Sequence, residues 1–537
     1  MSAAILSVSD LTVRLPAGAE RAYALERVGF EIREGEVLCL VGESGSGKSI
    51  TAQAIMGLLP ETIRPVAGRV LLEGENLLAA RPERLRALRG ARMTMIFQEP
   101  MTALNPVMRC GYQVEELLRQ HADLTPVQRR SRVLEMFQRV SLDDPERIYF
   151  AYPHQLSGGQ RQRIMIAAAL ILKPALLIAD EPTTALDVTT QAEILQLIRA
   201  LQRAQGTAVL FITHDFGVVA EIADSVAVLR RGELVESGPA GSLLARPVHE
   251  YTRTLLAAVP ALLPRKQPVE PGRPVHLRAS RLSRLFHGGG WLARSRPVRA
   301  VDEVGFEVRR GETLGIVGES GSGKSTLARL LGRLIEPSSG EIELDGERIT
   351  ALRGNAVRQL RRRIQFVFQD PYRSLNPRRT AGAAIVEGPM NFGVPAAQAW
   401  QRARELMSLV GLPESALGRY PHQFSGGQRQ RICIARALAM RPEVLIADEP
   451  VSALDVSVQA QILDLFEDIQ RRLGLTLLFI THDLRVAAQI CNRILVMRRG
   501  RVVEQGPVCE VFGHPRDSYT RALLRAAPGR AFAFSGA

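Results

Sequence analysis

The sequence predicts an α/β protein built from two tandem copies of one doubly wound domain, and three observations predict it. First, short apolar runs such as "GEVLCLVG", "PALLIAD" and "TAVLFITH" lack polar alternation, and helical patterns such as "SITAQAIMGLL" separate them. Strands buried on both faces of a parallel sheet have this pattern, and crossover helices complete such a fold. Second, the chain repeats itself. "VGESGSGKS" occurs at Val41–Ser49 and Val317–Ser325, "IADEP" at Ile178–Pro182 and Ile446–Pro450, and "FITHD" at Phe211–Asp215 and Phe479–Asp483. The offset is 276 from Lys48 to Lys324 and 268 from both Asp180 to Asp448 and His214 to His482. The length changes therefore fall between the first two motifs. Third, "VPALLPRKQPVEPGRP" carries Pro260, Pro264, Pro268, Pro271 and Pro274, which no helix or central strand tolerates. The expected organisation is a first domain over 1–258, a linker over 259–275, a second domain over 276–525 and a tail over 526–537.

Within each half the elements follow in order. The opening segments ("ILSVSDLTVRL" and "GFEIREGE" in the first half) alternate apolar and polar residues, which predicts a small antiparallel sheet beside the core. A strand, a glycine-rich loop and a helix come next, and the two further apolar strands follow.

Composition narrows the class. Hydrophobic residues make up 46% and charged residues 23% of the 537, as in folded globular chains. The net charge of +14 suits an acidic partner (nucleic acid, anionic lipid or nucleotide) and equally suits a surface covered with arginine. Five scattered cysteines without a CxxC pair argue against structural zinc and a disulfide framework, and fit a reducing, cytoplasmic compartment. "MSAAILSVSDLTVRL" lacks the basic and long apolar regions of a signal peptide. The longest apolar stretch, Ile164–Leu172, ends at Lys173-Pro174 and is too short to span a bilayer.

"GESGSGKS" matches the P-loop pattern twice, each time between a strand and a helix. Its glycines let backbone N–H groups converge on phosphate oxygens at a helix N-terminus. The candidate ATP-binding residues are Gly42, Ser44, Gly45, Gly47, Lys48, Ser49 and Ile50, and Gly318, Ser320, Gly321, Gly323, Lys324, Ser325 and Thr326. The lysines reach the β/γ-phosphates and Ser49 and Ser325 place a hydroxyl on Mg²⁺. Asp180 and Asp448 end apolar strands at the carboxyl edge of the sheet, where a carboxylate suits Mg²⁺ coordination. Glu181 and Glu449 follow at once as candidates to orient or deprotonate the attacking water. His214 and His482 end the next strand and are candidates for a γ-phosphate contact. Gln98 and Gln369 end another strand, from which they can reach the metal or the attacking water.

The turns "HQLSGGQRQR" and "HQFSGGQRQR" each place a serine cap before a helix, making a second anion-binding helix end in a half that already holds a P-loop. One half does not need two phosphate cradles for one ATP. Two halves facing head to tail do. The P-loop, "LSGGQ", "ADEP", "ALD" and "THD", in this order and twice, resemble the signature set of ABC-type ATPases over nearly the whole chain. The resemblance implies two P-loop NTPase (RecA-like) ABC nucleotide-binding domains, each with an antiparallel β subdomain and a helical signature subdomain. It also implies composite sites. Lys48, Ser49, Gln98, Asp180, Glu181 and His214 would meet Ser425, Gly427 and Gln428; the reciprocal set would meet Ser157, Gly159 and Gln160. Asp187 and Asp455 would cross the same interface. The family usually stacks an aromatic on adenine; Phe286 fits in the second half, whereas Leu15 stands there in the first, with Tyr23 further on.

"FQEPMTALNP" and "FQDPYRSLNP" are similar to the stretch after the Gln loop in peptide-importer ATPases. "PVHEYTRTLL" and "HPRDSYTRALL" are similar to the C-terminal extension of that group, which also serves dipeptide, oligopeptide and nickel import. The fused arrangement resembles the ATPases of microcin C-type peptide and glutathione importers. What this implies is an ATPase using ATP and Mg²⁺ at the cytoplasmic face of the bacterial inner membrane. Two transmembrane permease subunits and an extracytoplasmic peptide-binding protein would be its partners, with the two halves acting as an internal pseudo-dimer. No nucleic acid is expected, and no iron–sulfur cluster, since the cysteine quartet of some relatives is missing. A glutathione or nickel importer ATPase and a ribosome-associated tandem ATPase are the alternatives.

Overall fold

A computed structural model of the chain describes residues 4–19, 21–98, 103–183, 186–265, 272–286, 297–452 and 454–530. Parts of the expected linker (266–271) and tail (531–537), all of "EPMT" after Gln98, and Ala185 and Ala453 of the "ALD" loops lie outside those residues. The chain divides into two compact units, one built mainly on residues 1–186 and 190–259, the other mainly on 260–527.

The first unit opens with β1 (Ala4–Arg14) and β2 (Tyr23–Arg33), followed by β3 (Val37–Val41), β4 (Arg64–Leu72) and β5 (Glu75–Asn76). Strands in the order β2-β1-β4-β5 form the expected antiparallel sheet. The alternation in β1 is reset at Asp10, where φ is 51° and the register shifts, so Val8 and Leu11 both face inward although three residues apart. The core sheet adds β6 (Met93–Ile96), β7 (Leu176–Asp180), β8 (Ala208–Ile212), β9 (Ser225–Arg230) and β10 (Glu233–Pro239). Its order is β10-β9-β3-β8-β7-β6, parallel throughout except for the β9–β10 pair. Every residue of β3, β7 and β8 is buried, which explains their lack of alternation. Leu6, Leu25 and Ile32 of the antiparallel sheet pack with Leu40, Ile178 and Leu210 of the core sheet.

The second unit repeats this plan. Its antiparallel sheet runs β12 (Val298–Arg309), β11 (Val275–Phe286), β14 (Ser339–Leu344), β15 (Glu347–Arg348). Its core sheet runs β16 (Ile364–Val367), β17 (Val444–Asp448), β18 (Thr476–Ile480), β13 (Thr313–Val317), β19 (Arg493–Arg498), β20 (Arg501–Pro507). Each unit also carries a helical layer: Cys110–His121, Pro126–Arg139 and Gly158–Leu170 in the first, Ala381–Asn391, Ala396–Leu409 and Gly426–Ala439 in the second. Among the described residues, no helix is long and apolar enough to cross a membrane.

Candidate active site

β3 and β13 each run straight into the glycine loop, and Lys48 and Lys324 open the helices that follow. Gly42 and Gly318 have φ of 149° and 148°, and a Cβ at either would stand 2.2 Å from the Leu229 or Met497 carbonyl oxygen. Only glycine lets the loop cross the neighbouring strand end this closely. Gly47 and Gly323, at φ 110° and 105°, turn the chain into the helix. Lys48 is buried and its Nζ donates to the Gly42 and Glu43 carbonyls at 2.7 and 3.0 Å. Lys324 does the same to Gly318 and Glu319 at 2.7 and 2.8 Å.

The carboxyl ends of β7 and β17 bring the acids to this loop. Ser49 Oγ donates to Asp180 Oδ1 at 3.4 Å, and Ser325 Oγ to Asp448 Oδ1 at 3.2 Å. Burial pushes both aspartic carboxyls above their ordinary range, with the neighbouring glutamate adding to the rise against the serine hydroxyl and the lysine. Glu181 and Glu449 stand next in left-handed backbone, φ 48° each, and their N–H groups donate to Ile212 and Ile480 on the adjacent strand at 2.9 Å.

Each glutamate is then held from two sides. Gln98 Nε2 donates to Glu181 Oε2 at 2.9 Å, while His214 Nδ1 lies 3.1 Å from Glu181 Oε1. In the second unit Gln369 Nε2 donates to Glu449 Oε2 at 2.9 Å and His482 Nδ1 lies 3.3 Å from the same oxygen. Burial works against the charged form of Glu449, but the His482 contact and the Lys324 charge more than offset it and hold the carboxyl below its ordinary range. His482 is raised correspondingly, Glu449 prevailing over burial. So lysine, serine, aspartate, glutamate, histidine and glutamine come together in each unit, as a buried lysine on a glycine loop beside a carboxylate oriented by two side chains. Ile50 packs on the core of the first unit, and Thr326 is half-buried in the matching helix.

The signature residues sit elsewhere in the unit. Ser157 and Gln160 form a capping box at the start of Gly158–Leu170: the serine oxygen accepts from Gln160 N at 3.2 Å and Gln160 Oε1 accepts from Ser157 N at 3.1 Å. Ser425 and Gln428 repeat it at 3.3 and 3.1 Å. Ser157, Gly159 and Gln160 line an open cavity of about 720 Å³ with Arg163, Thr190 and Glu193, and no P-loop residue borders it. Ser44, Gly45 and Glu43 border a different cavity, of about 430 Å³. Phe286, 39% exposed, ends β11 with the Arg284 guanidinium 4.8 Å above its ring; in the first unit Arg14 covers Tyr23 at 5.9 Å and Leu15 packs on the core.

Sequence reasoning missed three residues. Gln162, fully buried in the signature helix, donates to the Pro182 carbonyl of the Asp-Glu-Pro turn at 2.5 Å. Tyr251 and Tyr519, near the end of each repeat, reach the glycine loops, accepting from Glu43 N at 3.3 Å and Glu319 N at 3.0 Å. Position in the repeat could have flagged the tyrosines, since both stand at the 268-residue offset of the later motifs.

Comparison with known proteins gives two family matches. The ABC transporter family matches residues 25–184 and 301–452. The oligopeptide/dipeptide transporter C-terminal region matches 235–284 and 503–531. The chain is 48% identical over 562 residues to the glutathione import ATP-binding protein GsiA of Pectobacterium atrosepticum, spanning 98% of this chain and 89% of that one. It is 47% identical over 528 residues to the peptidoglycan transport ATP-binding protein YejF of Agrobacterium fabrum, spanning 97% and 96%. Against the glutathione import protein of Escherichia coli the identity is 47% over 557 residues, spanning 98% and 89%.

Proposed function

The chain belongs to the ABC transporter family as an ATPase coupled to transport, and from that premise we propose that it powers import of peptides, glutathione among them, through partner permease subunits. The observation that carries the chemistry is the same in both units: a carboxylate held between a glutamine and a histidine, beside a lysine-bearing phosphate loop. Lys48 and Lys324 hold the β/γ-phosphates. Glu181 and Glu449 take a proton from the attacking water as it adds to the γ-phosphorus and ADP leaves, with His214 and His482 steadying the glutamate and the departing phosphate. Gln98 and Gln369 keep the carboxylates turned toward that water.

The donor set fits Mg²⁺, a hard cation that takes oxygen ligands: a serine hydroxyl, a buried carboxylate of raised pKa and a glutamine amide. Ser49, Asp180 and Gln98, and Ser325, Asp448 and Gln369, would hold it, and it would neutralise charge developing on the phosphates.

Two further readings rest on single-unit facts. The first signature turn lines a cavity that no P-loop residue of its unit borders, which supports closure of the halves as a pseudo-dimer, Ser425, Gly427 and Gln428 completing one site and Ser157, Gly159 and Gln160 the other. Asp187 and Asp455 would join that interface, and Phe286 would stack on adenine. The match to the oligopeptide/dipeptide C-terminal region, in both halves, supports the peptide class of cargo. An extracytoplasmic binding protein would deliver it, with this chain on the cytoplasmic face of the membrane. The domain limits of 1–258 and 276–525 are proposed on the same repeat.

The test is a tagged pull-down from detergent-solubilised bacterial membranes, with partners identified by mass spectrometry. Two multi-span proteins are expected. Recovery of ribosomes with no membrane subunit would overturn the transport assignment.

A further inference from the structure

The C-terminal extension reaches the phosphate loop by one route, built twice. In the first unit Glu236 on β10 accepts from the Val248 and His249 N–H groups at 2.8 and 3.1 Å, which fixes the entry to helix Glu250–Ala257. His249 caps that helix, its ring accepting from Tyr251 N at 3.1 Å. Tyr251 then lies with its ring 5.0 Å beneath the Arg230 guanidinium and its hydroxyl accepting from Glu43 N at 3.3 Å. In the second unit Glu504 accepts from Arg516 and Asp517 N–H groups at 2.8 and 3.2 Å, and Asp517 caps helix Ser518–Ala526 through Tyr519 N at 2.7 Å. Tyr519 lies 4.8 Å beneath Arg498 and accepts from Glu319 N at 3.0 Å. The capping residue differs, His249 against Asp517, yet the tyrosine arrives at the same atom.

That atom belongs to the second residue of the loop. Its N–H goes to the tyrosine, and its carbonyl accepts from the P-loop lysine, at 3.0 Å for Glu43 and 2.8 Å for Glu319. The loop is therefore gripped at one residue by the extension and by the side chain that is to hold phosphate. On its outer side, Gly45 and Ser46 border the cavity shared with Arg231 and Thr254, and their carbonyls accept from Arg21 Nη2 at 2.7 Å and from Gly232 N at 2.8 Å, so the tyrosine adds a hold at the start of a loop anchored elsewhere at its middle. Burial pushes the Tyr251 phenol up to about 12, so the hydroxyl stays neutral at any working pH.

We propose that Tyr251 and Tyr519 are positioning residues, holding the start of each phosphate loop in the form that accepts ATP and so tying nucleotide affinity to the C-terminal extension. This rests on the reading that the two loops hold ATP. A loop already held loses less freedom on binding, and that difference appears in affinity.

The test uses the full chain with Tyr251→Phe and Tyr519→Phe together, which removes two hydroxyls and keeps both rings. A fluorescent mant-ATP titration, the KM and kcat for ATP, and the nucleotide-free melting temperature are measured. Loss of one neutral hydrogen bond per site predicts mant-ATP binding weakened by about three- to tenfold, with KM rising more than kcat falls and melting nearly unchanged. A lowered melting temperature with unchanged mant-ATP affinity would mean a packing role only and overturn the proposal, as would no change in either. Lys48→Ala with Lys324→Ala separates the premise: if that variant binds mant-ATP normally, the ATP reading of the loops fails. If it loses binding while the tyrosine variant does not, only the tyrosine proposal fails.

Discussion

Glu181 and Glu449 occupy a backbone conformation that few residues other than glycine adopt, φ 48° in both units, and the adjacent strand and two side chains keep them there. A strained residue whose carboxylate is steadied by a glutamine and a histidine is suited to receive a proton at a fixed point. Glu181→Gln with Glu449→Gln should therefore lower ATP turnover by about 10²–10⁴-fold while mant-ATP still binds. A variant that turns over ATP near the normal rate would place the base elsewhere. Much of this site was legible: Lys48, Ser49, Asp180, Glu181 and His214 each sit in a short motif whose spacing declares its chemistry. What spacing does not declare is convergence. Gln98 and His214 lie 83 and 33 positions from Glu181, and Tyr251 lies 208 positions from Glu43. Sheet order, not local sequence, decides which of these meet.

At the scale of elements, the second glycine of each signature turn has a steric reason that anion binding alone does not supply. A Cβ on Gly427 would stand 2.3 Å from Val458 Cγ1 on helix Val456–Leu473, whereas on Gly426 it would meet only Leu454 at 3.7 Å. Gly427→Ala should cost about 1–3 kcal/mol in denaturant unfolding through overpacking, and Gly426→Ala much less, since ordinary contact is available to it. Equal effects would show that the helix yields freely. The second unit also contains a joint invisible in the sequence. Buried His276 on β11 has Nδ1 2.6 Å from Thr476 Oγ1 on β18, while its Nε2 faces Asp345 and Glu443 at 3.6 Å each. Arg363 Nη2 already holds Glu443 Oε2 at 2.9 Å and Asp345 Oδ2 at 3.3 Å, and Arg310 holds Asp345 at 2.7 Å, so the cluster is an ion-pair network and not a cation's cage. Burial lowers the His276 pKa below its ordinary value, Asp345 and Glu443 opposing and Arg310 assisting. The sign follows: the unfolded chain takes up this proton below about pH 6.5 before the folded chain does, so stability present above that pH is lost as pH falls. His276→Leu should flatten the fall in melting temperature between about pH 7 and pH 5.5, and an unchanged slope would assign the dependence to other groups.

At the scale of the whole molecule, the duplication is the plainest feature of the sequence, and both core sheets follow from its apolar runs. The same residue set present twice in one chain then poses an energetic question. Shifting a closure from 1:99 to 99:1 takes about 5.5 kcal/mol of differential binding. One ligand at a hundred times its dissociation constant supplies about 2.7 kcal/mol, if it binds the closed form alone. One ATP falls short by about half and two roughly suffice, so neither site can be a passive duplicate if closure does the work. Lys48→Ala or Lys324→Ala alone should then abolish most peptide uptake in cells that carry the permease subunits, even though the unaltered half still binds mant-ATP. Uptake near the normal rate with either lysine gone would show that a single ATP drives the cycle, and that the second complete site serves something other than closure.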